Sequence, residues 1–143
     1  MNTTDNRALV RRFVDEIFVR GRVEAIDELV APDFVSHTFS FTDDGRSKLK
    51  AATERVHASL SDVVFDVEDV LVDGEQAVVR LTASATPIGD FMGVPAAGKR
   101  YTIGEMHWFR LRDGKVVEHW HQHDALGLMK QLGAFPAPDV QPA

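Results

Sequence analysis

The period at which hydrophobic residues recur changes once along this chain, close to Asp62. Before that point apolar residues recur every three to four positions, as on one buried side of an α-helix. The first such stripe is Leu9, Val10, Phe13, Val14, Ile17 and Phe18. After that point the pattern is that of β-strands. Helices first and a strand meander second predict an α+β fold, with a curved antiparallel sheet wrapped around the N-terminal helices and a cavity between them.

Turn and cap signals divide the chain into elements. Three helices are predicted in the first half: the first is capped by Thr4 or Asp5, the second is closed by Pro32, and the third begins at Ser47. The second half holds four strands and a short helix, at 63–72, 77–85, 99–112, 115–123 and 125–132. Asp124 is the expected N-cap of that last helix. The whole chain, 1–143, is expected to be one domain with an irregular tail at 135–143.

Composition excludes several classes of function. The net charge of −6 disfavours binding to a nucleic-acid backbone or to an acidic membrane surface. There is no cysteine, which excludes disulfides, thiol nucleophiles, iron–sulfur clusters and zinc fingers. The sequence shows neither a secretory signal nor an apolar run of the roughly 20 residues that span a bilayer. We therefore expect a cytoplasmic protein that binds neither nucleic acid nor a membrane. The cavity of the predicted fold would instead take a small apolar molecule.

Four of the six histidines lie in the last predicted hairpin, at positions 107, 119, 121 and 123. A two-residue turn at Asp113-Gly114 would pair His107 with Trp120, whereas a three-residue loop would pair His107 with His119. We favour the loop, because it puts the four histidines on one face, together with Ile103, Glu105, Phe109, Leu111 and Val117. The other face then holds Met106, Trp108, Arg110, Val116, Glu118, Trp120 and Gln122.

A cluster of histidine and glutamate in a cavity is typical of acid–base catalysis. The unperturbed pKa of histidine, about 6.5, lets a neutral ring take a proton near pH 7 and return it. Glu105, His119 and Phe109 are therefore expected to contact a substrate. Phe91 is a further candidate contact, in a glycine- and proline-rich loop at 87–98 that either folds over a pocket or packs on the core.

The remaining histidines leave alternatives open. His37 is either a pocket residue in contact with substrate or a solvent-facing loop residue. His57, on the third helix, is expected to be structural. Alternating histidines on a strand, with His107 opposite, are also how some zinc sites are built, but we expect this site to work without metal.

Several segments together resemble the SnoaL-like polyketide cyclases, also called ester cyclases, of the nuclear transport factor 2 superfamily. They are Val-Arg-Arg-Phe-Val-Asp-Glu-Ile-Phe at 10–18, Leu-Val-Ala-Pro-Asp-Phe-Val-Ser-His at 29–37, Gly-Asp-Phe-Met-Gly-Val-Pro at 89–95, and the run 107–133 that ends in Gly-Leu-Met-Lys-Gln-Leu-Gly. The resemblance implies a cone-like α+β barrel around an apolar cavity. It also implies a cofactor-free aldol ring closure on a polyketide.

The resemblance also implies catalytic positions. The family's histidine falls on His107, and its acid/base residue, an Asp in the prototype cyclases, falls on His121. Activity should then fall as the pH drops through about 6.5. An isomerase or hydrolase of the same fold, or a non-catalytic binding protein, are the alternatives. Trp108 and Trp120 on the outer face predict a homodimer or homotetramer.

Overall fold

The first half of the protein is helical, as the periodicity predicts. The structure is a computed structural model that describes residues 3–38 and 43–135, with side chains from residue 5 onward. Helix α1 spans Thr3–Phe13 and continues directly as a π-helical segment, Val14–Val19. Gly21 follows with a φ of 64°, in the left-handed region that favours glycine. Because α1 already includes Thr3, the expectation that Thr4 or Asp5 caps it is wrong.

The chain between α1 and the sheet differs from the prediction at two helix ends. Helix α2 spans Glu24–Leu29 and leads directly into strand β1, Val30–Ser36. Pro32 therefore lies inside a strand instead of closing a helix; this is tolerated because β1 is an edge strand. Helix α3 spans Gly45–Ser59, so Ser47 lies within its first turn and is not its N-cap.

The second half forms the predicted strands. They are β2 (Leu60–Asp73), β3 (Gln76–Pro87), β4 (Tyr101–Arg112) and β5 (Lys115–His123). In the described part of the chain they form one sheet of order β1-β5-β4-β3-β2, in which β1 pairs with β5 in parallel and all other pairs are antiparallel. The α+β class is confirmed, but the sheet is mixed and has five strands, and it is open.

The last hairpin has a different turn from the one predicted. Arg112 pairs with Lys115 across a two-residue turn, so the three-residue loop is wrong. A bulge in β5 then shifts the register by one residue, so that His107 lies opposite His121. Because of this bulge, the histidines of β5 lie on the same face of the sheet as His107, as predicted. Val116 therefore packs in the core where Val117 was expected, and Val117, at the bulge, is buried as well.

Helix α4, Ala125–Gln131, closes the described part of the fold. Its predicted N-cap is confirmed, because the Asp124 carboxylate accepts a hydrogen bond of 2.8 Å from the Gly127 amide. The core lies between the apolar stripes of the helices and the concave face of the sheet, where Val10, Ile17 and Phe109 are fully buried. None of the helices in 3–38 and 43–135 is long and apolar enough to cross a membrane. The predicted irregular tail, apart from Phe135, lies outside the described residues.

Candidate active site

A cavity of about 600 Å³ opens between the concave face of the sheet and the helices. Its wall is mostly apolar and aromatic, with Phe18, Phe65, Phe91 and Leu128 among its lining residues. Its polar groups come chiefly from β4 and β5, which contribute Glu105, His107, His121 and His123. An apolar cavity with a few converging polar groups is the usual form of a small-molecule site.

The two-residue period of the strands places these polar side chains together. On β4, Tyr101, Ile103, Glu105 and His107 alternate with outward-facing residues. His121 on β5 lies opposite His107, and their rings stack with centroids 4.7 Å apart. The shared face expected from the sequence is therefore confirmed.

His107 uses both of its ring nitrogens in hydrogen bonds. Its Nε2 lies 2.8 Å from Oε1 of Glu105, and its Nδ1 lies 2.9 Å from Nε2 of His119. Nδ1 of His119 in turn lies 3.2 Å from Oγ of Ser36. A buried chain of hydrogen bonds therefore runs from Ser36 on β1 to the Glu105 carboxylate at the cavity.

His121 is held by its neighbours on two sides. Its Nε2 lies 3.1 Å from Nδ1 of His123, whose ring stacks on it. Its backbone amide donates to the Thr38 hydroxyl, which donates to the His121 carbonyl at 3.0 Å. This fixes the end of β5 against the segment that follows β1, and with it the position of the His121 ring.

Burial sets the protonation of two groups that line the cavity and of one that lies beneath its wall. Burial, followed by the charge of His107, lowers the pKa of His121 to about 4, so His121 is neutral at pH 7. Burial also lowers the pKa of His119 well below its ordinary value. Burial, with the nearby charge of Glu105, raises the pKa of Tyr101 to about 12, which keeps the Tyr101 phenol protonated.

The structure divides the predicted contact residues into two groups. Glu105 and Phe91 line the cavity, and Phe91 stacks on Tyr101 with centroids 6.1 Å apart. The loop tip that carries Phe91 therefore forms part of the cavity wall. His119 and Phe109 are 2% and 0% exposed and lie beneath the cavity wall. Their side chains therefore do not line the cavity, contrary to the prediction that they contact a substrate.

His37 lies outside the cavity, which corrects its place among the substrate contacts. It follows the edge strand β1 and points to the outer face of the sheet. There its Nε2 donates a 2.8 Å hydrogen bond to Glu118, and its ring stacks on Trp120. His57 is structural as expected, because its Nε2 donates to the Phe18 carbonyl at 2.9 Å and its ring fills the space beside Gly21.

Sequence reasoning missed several lining residues. Tyr101 shares the two-residue alternation of Glu105 and His107, so the strand pattern contained a signal for it. Phe18 comes from the π-helical segment, and its ring lies 4.9 Å from that of His107. Arg55 on α3 and Asp90 in the loop also line the cavity. Their positions depend on the packing of helix against sheet, which has no local signal in the sequence.

One set of described residues has the composition of a metal site. The ligand atoms of Glu105, His107 and His121 lie within 4.8 Å of one another. Both ring nitrogens of His107, however, are already hydrogen-bonded, to Glu105 and His119. A cation bound to His107 would have to break one of these two bonds.

Comparison with known sequences identifies relatives over most of the chain. The family model described as SnoaL-like polyketide cyclase matches residues 8–132. Aklanonic acid methyl ester cyclase DnrD of Streptomyces peucetius is 32% identical over 68 residues, which are 47% of this chain and 47% of that protein; the match thus spans about half of that relative. Nogalonic acid methyl ester cyclase of Streptomyces nogalater is 26% identical over 132 residues, covering 85% of this chain and 92% of that protein.

Solved structures show the same fold. TsrD from Streptomyces laurentii superimposes with a TM-score of 0.85 at 28% identity, covering 94% of this chain and 99% of that one. A SnoaL-like polyketide cyclase from Agrobacterium tumefaciens superimposes with a TM-score of 0.78 at 21% identity, covering 93% of this chain and 100% of that one, which supports the fold alone.

Proposed function

The chain belongs to the SnoaL-like polyketide cyclase family, and we propose that it is a cofactor-free cyclase acting on a polyketide-like ester by intramolecular aldol condensation. The observation that carries the proposal is the convergence of Glu105, His107 and His121 in an otherwise apolar cavity. An aldol closure needs a base for one carbon, a donor for one oxygen and a surface that holds a flexible chain folded on itself. Relatives named as methyl ester cyclases support this reaction class.

In the proposed reaction, the proton that is removed from the substrate is returned to the product. Neutral His121 removes a proton from a carbon flanked by two carbonyl groups, which leaves an enolate and a cationic imidazole. The enolate carbon attacks a ketone carbon in the same molecule, and the new carbon–carbon bond leaves an alkoxide. The imidazole then returns its proton to the alkoxide, so His121 ends as it began.

The low pKa of His121 revises the expected pH dependence. Because the pKa of His121 is about 4, its ring remains available as a base well below pH 6.5. The acid limb of the rate profile should therefore lie near pH 4 instead of 6.5. A conjugate acid of this strength also returns its proton readily to an alkoxide.

The role of His107 differs from the one that the sequence suggested. With both ring nitrogens engaged, it orients the Glu105 carboxylate and does not itself donate to a substrate oxygen. Tyr101 is the neutral hydroxyl donor on the cavity wall, and its raised pKa keeps that proton in place. We therefore assign oxyanion stabilisation to Tyr101 and expect Tyr101→Phe to lower kcat about tenfold.

We further propose that the site works without metal, because both ring nitrogens of His107 and Nε2 of His121 already have hydrogen-bond partners within the protein. Activity should survive dialysis against EDTA. Elemental analysis that finds one zinc per chain, lost together with activity on chelation, would overturn this.

The proposed function is tested by incubating the protein with aklanonic acid methyl ester and with nogalonic acid methyl ester. The expected result is an isomeric product of unchanged mass, identified by chromatography and NMR as the ring-closed compound. His121→Ala should abolish turnover. His37→Ala is the matched control, because His37 lies outside the cavity, and it should retain wild-type turnover. Tight binding of both esters with no turnover would support a binding protein instead.

A second substitution at the same position sharpens this test. His121→Asp would place a second carboxylate close to Glu105, and two neighbouring carboxylates raise the pKa of one of them. The raised carboxyl can still act as a base, so we expect His121→Asp to retain part of the activity that His121→Ala loses. Equal activity of the two variants would contradict a proton-transfer role at this position.

We propose that the outer face of the sheet joins two copies of the chain. Register places Leu71, Val78, Trp108 and Trp120 in one row across four strands, and Leu71 and Trp108 are 64% and 47% exposed. An apolar row of this kind is seldom left in contact with water. Analytical ultracentrifugation should find a dimer or tetramer that Trp108→Arg dissociates. A wild-type monomer at micromolar concentration would overturn the proposal.

A further inference from the structure

Ser36 and His119 are two buried polar residues for which the proposed reaction has no use. They are 0% and 2% exposed, and the parallel pairing of β1 with β5 places them opposite each other. Ser36 Oγ lies 3.2 Å from Nδ1 of His119, and Nε2 of His119 lies 2.9 Å from Nδ1 of His107. They therefore form the buried end of the chain of hydrogen bonds that leads to the Glu105 carboxylate.

The direction of this chain follows from the donor and acceptor capacity of each group. An ionised carboxylate only accepts hydrogen bonds, so His107 must donate to Glu105 from Nε2. A neutral His107 then accepts at Nδ1, so the donor there is Nε2–H of His119. Since His119 is neutral and carries one ring proton, its Nδ1 must accept from the Ser36 hydroxyl. All three bonds point from Ser36 towards Glu105.

The same hydrogen-bonded side chains can also accommodate one additional proton without moving their heavy atoms. When the Glu105–His107 pair gains a proton, Nδ1–H of His107 donates to Nε2 of His119. Nδ1–H of His119 then donates to Ser36 Oγ, which changes from donor to acceptor by rotation of its hydroxyl. No hydrogen bond of the chain is lost in either state. An alanine at position 36 would leave a buried His119 nitrogen without this partner in both states.

We propose that Ser36 and His119 are positioning residues that fix His107 with its proton on Nε2, and that their hydrogen bonds hold His107 and Glu105 in place while His121 takes up and returns its proton. The proposal rests on the proposed function, because it gives these residues a role in the proton transfers of the same cavity. A serine that only filled space would not need a hydroxyl able both to donate and to accept.

The first test is spectroscopic and independent of turnover. Long-range ¹H–¹⁵N spectra of the histidine-labelled protein at neutral pH report which nitrogen of each ring carries the proton, with assignment from single His→Gln variants. We expect His107 and His119 both to be protonated on Nε2. Ser36→Ala should shift the Nδ1 resonance of His119 to that of a nitrogen without a hydrogen bond. A wild-type His119 protonated on Nδ1, or an unchanged spectrum in Ser36→Ala, would overturn the proposal even if the protein is an active cyclase.

The second test separates positioning from folding. Ser36→Ala should lower kcat about tenfold with KM unchanged, as expected for a residue that holds cavity groups in place without contacting the substrate. Ser36→Thr keeps a hydroxyl and should restore most of the lost kcat. Ser84→Ala is the matched control, because it removes a sheet serine bonded to Thr102 at 2.8 Å on the outer face. Wild-type kcat in Ser36→Ala, or a loss that Ser36→Thr fails to recover while both variants remain folded, would contradict the proposal.

Discussion

Two histidine–glutamate pairs with the same nitrogen–oxygen distance lie on opposite faces of the sheet. His107 and Glu105 meet at 2.8 Å on the inner face, with side chains 4% and 14% exposed. His37 and Glu118 meet at 2.8 Å on the outer face, with side chains 42% and 31% exposed. The distance alone therefore does not distinguish a functional pair from a structural one. What differs is the surroundings of each pair, which decide how strongly it is screened.

The two pairs also differ in the residues that surround them. The inner pair continues into His119, stacks on His121 and faces an apolar cavity. The outer glutamate is shared between His37 and Arg110, at 2.8 and 2.9 Å, and these partners lower the pKa of Glu118. The carboxylate of Glu118 is therefore held in its ionised form by its two partners on the outer face, whereas the carboxylate of Glu105 lies in a cavity beside His107 and His121.

The largest expected difference between the two faces is in turnover, when the charge of the inner or of the outer glutamate is removed. Glu105→Gln preserves shape and hydrogen bonding but removes the negative charge that favours the cationic form of His121, so we expect turnover to fall about 100-fold or more. Glu118→Gln makes the same change on the outer face and should leave turnover within about twofold. Steady-state kinetics of both variants, with circular dichroism to confirm folding, make the comparison. Similar losses in both would remove the distinction between the two faces.

An intermediate effect is expected in the dependence of stability on pH. The folded pKa of His121, about 4, lies below its unfolded value of about 6.5, so the unfolded chain takes up the proton first as the pH falls. The stability that neutral His121 contributes is present above pH 6.5 and is lost between 6.5 and about 4. Urea denaturation at pH 7 and pH 4.5 should show this loss, and His121→Gln should reduce it by about 2 kcal/mol. The same loss in wild type and variant would contradict the assigned pKa.

The smallest effect is expected on the outer face. Removing the exposed pair with His37→Gln should change the free energy of unfolding by less than about 1 kcal/mol, and 0.5 M salt should reduce that change further. Denaturation of wild type and variant at low and high salt measures both quantities. A cost of several kcal/mol that is independent of salt would show that the outer pair is energetically like the inner one.

The inner face was predictable because it depends on a two-residue period. Glu105, His107 and His121 share a face in any register of the correct parity, and the β-bulge restores that parity after the two-residue turn. The exact pairing was not predictable, because a bulge of one residue has no strong local signal. Phe109 and His119 were placed on the right face but at the wrong depth, since the packing of the helices decides which residues remain open to the cavity.

One reason explains why the sequence predicts neither the outer His37–Glu118 pair nor the buried chain of hydrogen bonds that starts at Ser36. Strand β1 contains Pro32 and Asp33, which disfavour a strand, so the sequence predicts that a helix closes at Pro32 and predicts no strand after it. Its parallel pairing with β5 joins residues more than 80 positions apart, and this pairing brings Ser36 to His119 and His37 to Glu118. Contacts set by such long-range pairing follow from topology and not from local pattern.

Exchange of carbon-bound hydrogen tests most directly the claim that the inner cavity is an acid–base site. An aromatic β-keto ester is incubated with the protein in mildly acidic D₂O, where uncatalysed exchange is slow, and the loss of the signal from the carbon between the two carbonyls is followed by NMR. The account predicts that wild type and Glu118→Gln accelerate exchange equally, while His121→Ala and Glu105→Gln lose most of the acceleration. Exchange at the uncatalysed rate with bound ester, or undiminished exchange in both cavity variants, would contradict it.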